Sequence, residues 1–261
     1  MNVIDLIPYV YAKFAAFMLI FTRIAALFST FVVFRQNMVN SKVIVGFSSM
    51  LSLFVLVYLN HAQVQMDVFS FSMIVNLIFQ VFVGFLAGLI LNIVFEIFTA
   101  AGQLISTQIG IGLAGMFDPQ MGMITTLTQF YMMTMTLLFL LLNGHIFVFD
   151  TMIRSFAIIP LGEIAQPSNI ITEILHYSSV MFSGSVLLSI TIIVAIMATN
   201  FALAIMSKFA PQFNLFSVGI NMVLVLGLIC VYFTFGLLIE KGTSYFQDGF
   251  TFLVHSLRRL A

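Results

Sequence analysis

The sequence predicts an all-α integral membrane protein, and three observations lead to that prediction. Hydrophobic residues make up 62% of the 261 residues, whereas soluble proteins hold about 45–50%. Charged residues make up only 7%, with nine basic and nine acidic side chains, so the formal net charge is zero. Charge-free stretches longer than the ~20 residues of a membrane-spanning helix recur along the chain. This composition excludes an ordinary soluble enzyme and a disordered chain, and the missing basic surface excludes a nucleic-acid-binding protein.

The charge-free stretches predict about six long hydrophobic helices, because a bilayer leaves each segment to pair its own backbone polar groups. Polar loops separate the helices, and the longest loop is expected from Asp150 to Glu173. The tail from 240 to 261 is expected to be amphipathic. The predicted spans are Ile7–Phe34, Val43–Leu59, Phe71–Ala100, Thr125–Phe149, Ile174–Met206 and Phe216–Ile239.

The basic residues of the loops indicate an orientation in the bilayer. Arg35 and Lys42 belong to the first loop and Lys208 belongs to the fifth, whereas the second and fourth loops are more acidic. Because cytoplasmic loops are enriched in Lys and Arg, the first and fifth loops are expected in the cytoplasm and both termini outside. The basic end of the tail favours the opposite orientation.

The stretch between the third and fourth predicted spans fits neither a span nor a solvated loop. It is apolar, yet it contains Gly102, Gly110, Gly112, Gly115 and Gly122. Glycine disfavours a helix, and irregular backbone at membrane depth is tolerated only inside protein or against a water-filled cavity. A packed connection between helices is one interpretation, and a buried, re-entrant loop facing a pore is the other. In the second, flexible side chains form a soft plug: Met116, Phe117, Met121 and Met123.

Polar and small residues recur at a spacing of four along the third predicted span. They are Asn76, Gln80, Gly84, Gly88, Asn92 and Glu96. Small residues let helices approach closely, and Asn and Gln form hydrogen bonds between helices, so the pattern favours tight helix packing. A polar path along a lumen is the alternative. Small residues and Asn200 give the fifth span a similar surface.

Arg23 and Glu96 are ionisable residues inside apolar runs, which makes them functional candidates. The simpler interpretation is that Arg23 neutralises a carboxylate, such as that of Glu96, or reaches an interface. The four histidines and the single Cys230 show no metal-ligand spacing. No nucleophile with a base, paired catalytic carboxylates or phosphate-binding loop is recognisable. The sequence therefore predicts no enzyme, no cofactor and no metal site.

Several sequence motifs follow one another along most of the chain. The first is Ala101-Gly102-Gln103 through Gln108-Ile109-Gly110, followed by Phe117-Asp118-Pro119. Later motifs are Asn143-Gly144-His145, Ser155-Phe156 with Ile159-Pro160-Leu161-Gly162, Asn200-Phe201-Ala202 and Ala210-Pro211-Gln212 through Gly219. In this order the motifs resemble the FliR/SctT family of type III export-gate proteins. The match favours the flagellar branch over the virulence-associated injectisome branch.

The resemblance implies a gate subunit that assembles with FliP-like and FliQ-like proteins, and works with FlhA-like and FlhB-like proteins, in the flagellar basal body. It implies a FliP-like part over 1–173 and a FliQ-like hairpin and tail over 174–261. It implies a bacterial inner-membrane location, with part of the assembly raised toward the periplasm, and unfolded protein as cargo. It also implies a channel plug at about Ser106–Met121, which contains Gly110, Gly112, Gly115, Met116, Phe117, Asp118, Pro119 and Met121.

Two further expectations follow from the residues and the resemblance together. Gln103, Gln108 and Asn200 are expected to pack against partner subunits. A stand-alone transporter or ion channel, with Arg23, Glu96 and the polar ridge as its pathway, is the rival function. Transporters often contain an internal repeat, and no convincing repeat is visible in this chain.

Overall fold

The computed structural model describes residues 3–35, 40–59, 70–110, 125–162, 170–209 and 219–260. These residues form helices and turns, with no strand among them, which confirms the predicted all-α class. The helices are α1 (Val3–Thr30), α2 (Val32–Arg35), α3 (Ser41–Tyr58), α4 (Phe71–Ile109), α5 (Thr126–Leu141), α6 (Gly144–Ile158), α7 (Ile170–Phe209) and α8 (Ile220–Arg259).

Five of the described helices are long and apolar enough to cross a bilayer: α1, α3, α4, α7 and α8. The pair α5 and α6 would make a sixth span, although the two helices are bent by 64° at their junction. The length and composition of the helices are therefore those of a multi-pass membrane protein, as the sequence predicts.

The fourth span predicted at Thr125–Phe149 consists of two helices in the structure, α5 and the start of α6, with a break at Asn143 that the sequence analysis does not predict. Asn143 has a left-handed backbone with φ of 56°, a conformation that Asn tolerates better than most residues. The next helix, α6, then runs to Ile158, so the first nine residues of the predicted loop, starting at Asp150, are helical. An ion pair between Arg154 Nε and Asp150 Oδ2, 2.7 Å apart, lies along this exposed helical turn.

Two other helices continue nine or more residues beyond the predicted C-terminal end of their span. Helix α4 continues beyond Ala100 to Ile109, and α8 continues beyond Ile239 to Arg259. The tail stays helical because one face packs: Phe246, Leu253 and Leu257 are all buried. An amphipathic pattern of this spacing stabilises a helix even where the composition is too polar for a membrane span.

The chain divides into two compact units. Unit 1 comprises Met1–Asn92, Asn143–Ile174 and Asp248–Ala261, and unit 2 comprises Ile93–Leu142 and Leu175–Gln247. Unit 1 has a core cluster of Ala15, Ala16, Leu19 and Met73. Unit 2 has a core of aromatic rings, with the Phe95 centroid 5.6 Å from that of Phe139 and 5.2 Å from that of Phe246. The FliP-like and FliQ-like parts that the resemblance implies stay predictions.

Candidate functional site

The C-terminal turns of α4 and the first turns of α5 lie against each other in unit 2. A methyl group on Gly102 would lie only 3.0 Å from Thr128 Cα, so the absence of a side chain allows the close approach of the two backbones. The Thr128 hydroxyl also donates a hydrogen bond to Gln103 Oε1 at 3.4 Å. Gly102 and Gln103 therefore fasten α4 to the start of α5.

Helix α4 ends and helix α5 begins at residues that favour a helix terminus. Gly110, with φ of +91°, terminates α4, and its N–H donates to the Thr107 carbonyl at 3.3 Å. Thr125 caps α5, because its hydroxyl oxygen accepts from the Thr128 N–H at 3.3 Å. The segment from 111 to 124 thus begins and ends at two anchored helix termini.

The predicted plug falls mainly on this segment. The first predicted plug residues, Ser106–Ile109, form the last turn of α4, and Gly110 follows them. The other predicted plug residues lie outside the described residues, and their role stays a prediction: Gly112, Gly115, Met116, Phe117, Asp118, Pro119 and Met121.

Glycines on two further helices of unit 2 allow close packing against α4, and one of them lies at its C-terminal end. A methyl group on Gly227 of α8 would lie 2.6 Å from Ile109 Cδ1, and one on Gly184 of α7 would lie 3.0 Å from Ile97 Cγ2. The last turns of α4 are therefore packed against α8 as well as α5. Ser106, Ala101 and Ile105 are buried, which leaves this end of α4 little freedom to move.

An open apolar cavity of about 530 Å³ lies beside the first turns of α5, between α5 and α8. Leu127 and Phe130 line it from α5, and Leu228, Tyr232 and Phe235 line it from α8. Thr126, the first residue of α5 after the Thr125 cap, also lines this cavity. The N-terminal end of α5 therefore has a hydrophobic recess beside it.

In unit 1 the polar and small ridge of α4 packs along α1. A methyl group on Gly84 would collide with the Arg23 carbonyl oxygen, and one on Gly88 would lie 2.8 Å from Thr30 Cβ. Asn92 Oδ1 accepts from the Val32 N–H at 2.7 Å, while Asn92 Nδ2 donates to the Thr30 carbonyl at 2.7 Å. The two glycines allow α1 to lie close to α4, and Asn92 forms hydrogen bonds beside them. These contacts are those of helix packing.

Arg23 of α1 is fully buried and has neutral partners in place of the carboxylate that the sequence suggests. Its Nε donates to Gln80 Oε1 at 2.6 Å, its Nη1 to Ser155 Oγ at 3.0 Å and its Nη2 to the Ile159 carbonyl at 3.0 Å. The guanidinium carbon lies 4.3 Å from the centroid of the Phe156 ring.

The end of α6 provides the electrostatic compensation for Arg23. Ser155, Phe156 and Ile159 belong to the last turn of α6 and its C-cap, where the helix dipole is negative. The aromatic face adds a cation–π attraction. Arg23 therefore joins α1 to α4 through Gln80 and to the C-terminal end of α6.

The remaining candidate residues differ in exposure. Asn76 is buried, and its Nδ2 donates to the Ser72 carbonyl at 2.9 Å. Gln103 and Glu96 are half-buried, whereas Gln108 and Asn200 are exposed. Among the described residues, no group of three or more His, Cys, Asp or Glu side chains could hold a metal ion.

Three contact residues were not predicted from the sequence. Thr128 forms a hydrogen bond with Gln103, and Ser155 and the Ile159 carbonyl accept hydrogen bonds from Arg23. Thr125 and Thr128 at the start of a predicted span are a recognisable capping pattern. Ser155 and Ile159 belong to a family motif, but their contacts with Arg23 cannot be predicted from it, because a hydrogen bond across 132 or more positions depends on the tertiary fold.

Comparison with known proteins identifies the family. The profile of the family described as "Bacterial export proteins, family 1" matches residues 14–249. The chain belongs to this family. The expected resemblance is therefore confirmed, and the anchored segment lies wholly inside the part that the family profile covers.

Similar proteins carry two different names, FliR and SpaR. The flagellar biosynthetic protein FliR of Buchnera aphidicola subsp. Baizongia pistaciae is 30% identical over 212 residues, 81% of this chain and 82% of that protein. FliR of Pectobacterium carotovorum is 28% identical over 242 residues, 92% of each chain. The surface presentation of antigens protein SpaR of Shigella flexneri is 30% identical over 169 residues, 64% of this chain and 63% of that protein.

Proposed function

We propose that the chain is a non-enzymatic, channel-forming subunit of a flagellar type III protein export gate, and that residues 110–121 help to seal its pore. Membership of the export family and the names of the FliR relatives support the export role. The two FliR matches cover 81% and 92% of this chain, against 64% for the SpaR match, which favours the flagellar system over an injectisome.

The observation that carries the sealing role is the packing of the two helices that flank residues 111–124 in unit 2. Gly102 and Thr128 hold the two flanking helices together, and Gly110 and Thr125 end them. A segment tied at both ends to packed helices can yield to a passing chain and return to the same place. Its Met and Phe side chains would supply an apolar, adaptable seal.

Exposed surface supports a role in an assembly with FliP-like and FliQ-like subunits in the inner membrane. Large apolar side chains are exposed along α7 and α8, including Phe182, Phe201 and Phe233. Gln108 and Asn200 are exposed polar residues on apolar helices, and a neighbouring subunit would provide hydrogen-bond partners that lipid lacks. FlhA-like and FlhB-like proteins would act with this assembly, and unfolded flagellar subunits would be the cargo.

The sealing role is tested by the leak of ions through the reconstituted gate complex. Deletion of Gly110–Gly115 is expected to raise the ion leak while the mass of the assembled complex stays that of the wild type. The control is Gly236→Ala, because a methyl group at Gly236 meets no atom within 4 Å. An assembled deletion variant with the wild-type leak would refute the sealing role.

The assembly is tested by co-expression with the FliP-like and FliQ-like subunits and mass measurement of the intact complex. A gate subunit is expected to purify as part of a mixed complex and to be unstable without its partners. A stable protein that purifies alone or as a homo-oligomer would instead indicate the rival, a self-sufficient transporter or ion channel.

A further inference from the structure

A second groove, in unit 1, lies between α1, α3 and α4 and has a volume of about 530 Å³. Its floor is a face of α1 with small side chains, among them Thr22, Ala25 and Ser29. Phe34, Ile44 and Phe85 form part of its walls. The face is partly open, because Thr22 and Ala25 are half-buried and Ser29 is exposed.

The hydroxyl groups of this floor are already paired within α1. Thr22 donates to the Met18 and Leu19 carbonyls at 3.0 Å, and Ser29 donates to the Ala26 carbonyl at 3.0 Å. Thr30 donates to the same Ala26 carbonyl at 2.7 Å. These hydroxyl groups therefore need no hydrogen bond from a bound molecule, and the groove surface is compatible with a hydrocarbon chain.

The length of the groove matches one leaflet of a membrane. Its α1 side runs from Phe21 to Thr30, and nine helical steps of 1.5 Å give about 14 Å. Half of a hydrocarbon core of about 30 Å is about 15 Å. An acyl chain lying along α1 would therefore fill the groove from the membrane midplane to the interface.

A basic residue follows the lining residue at one end of the groove. Ser41 lines this end and begins α3, and Lys42 follows it as an exposed residue. The 18 residues of α3 give a length of about 27 Å, close to the hydrocarbon thickness, so Ser41 and Lys42 would lie at the level of lipid phosphates. The first turn of α3 has no acidic residue, and the helix N-terminus adds a positive dipole.

We propose that this groove binds one anionic phospholipid, with an acyl chain along α1 and the phosphate at Lys42 and the start of α3. Charge complementarity identifies the occupant. A basic residue at one end of an apolar groove about as long as one leaflet fits an anionic lipid better than a neutral one. The sequence places Arg35 at the same end, in the loop expected on the cytoplasmic side, where anionic lipids concentrate.

The test is native mass spectrometry of the chain in its purified complex, after exchange into nanodiscs of phosphatidylglycerol or phosphatidylcholine. One retained phosphatidylglycerol per chain is expected, with phosphatidylcholine lost on dilution. A basic residue near a membrane surface contributes about fivefold in affinity, so Lys42→Glu should weaken retention about 25-fold. The control Lys208→Glu changes the same charge on an exposed residue of α7, outside the groove, and should retain the lipid.

A second variant tests the groove separately from its mouth. Ala25→Phe would fill the floor and should abolish retention while Lys42 is still present. Equal retention in the wild type, Lys42→Glu and Lys208→Glu would overturn the proposal. Cross-linking of Thr22→Cys to a sister subunit would also overturn it, because a protein helix would then occupy the groove.

Discussion

Gln80→Leu tests how the buried charge of Arg23 is held. Arg23 has no exposed surface, and its Nε–H reaches only Gln80 Oε1, at 2.6 Å. A hydrogen bond to a charged group contributes about 1.5–3 kcal/mol, and a buried charged donor left without a partner costs at least as much. We therefore expect Gln80→Leu to lower the free energy of unfolding by about 2–3 kcal/mol.

The double variant separates the hydrogen bond from the volume of the side chain. Arg23→Met removes the cation, and Arg23→Met with Gln80→Leu replaces both polar partners by apolar groups. Replacing a whole buried polar pair is often close to neutral, so the double variant should be more stable than the sum of the single effects, by about 2 kcal/mol.

The assay is denaturant unfolding of the purified mixed complex in micelles, with a fluorescent label on this chain as the signal. Gln129→Leu is the matched control, since it makes the same change at an exposed residue of α5. Its effect should stay within about 0.5 kcal/mol. Gln80→Leu with the stability of the wild type, or single effects that simply add, would refute the proposed role of the hydrogen bond.

Three other perturbations have expected outcomes. Gly84→Ala should prevent α1 from packing on α4 and lower the thermal midpoint sharply, whereas Gly46→Ala, with open space around it, should stabilise α3 by about 0.5–1 kcal/mol. Gly110→Ala should cost about 1–2 kcal/mol because its φ is +91°, measured by the same unfolding assay. Gln108→Ala and Asn200→Ala should weaken the mixed complex, measured as the fraction of the chain that co-purifies with its partners. Unchanged complex yield would count against their role in partner contacts.

The composition and the charge-free stretches were sufficient to predict the membrane class and the positions of the long helices. They failed at Asn143, because hydropathy records how apolar a stretch is and not whether one residue adopts a left-handed backbone. They also ended α4 and α8 early. Helix α4 continues past Gly102 because Thr128 fills the space beside it, a tertiary contact that local propensity does not contain.

Some parts of the candidate site could be predicted from the sequence, and others could not. Glycine spacing along α4 indicates close packing, and the contacts of Gly84 and Gly88 with α1 agree with that pattern. The expectation that Arg23 needs a carboxylate follows from pairwise charge, yet a helix C-terminus and an aromatic ring can compensate a cation without one. Only the fold brings the end of α6 to Arg23.

The most direct test of the sealing role is site-specific photo-cross-linking at Phe117 while an export substrate is stalled in the gate. A cross-link is expected from position 117 to the cargo, and none from position 46 on the exposed face of α3. A stalled cargo that cross-links to neither position, or equally to both, would contradict the placement of this segment in the export path.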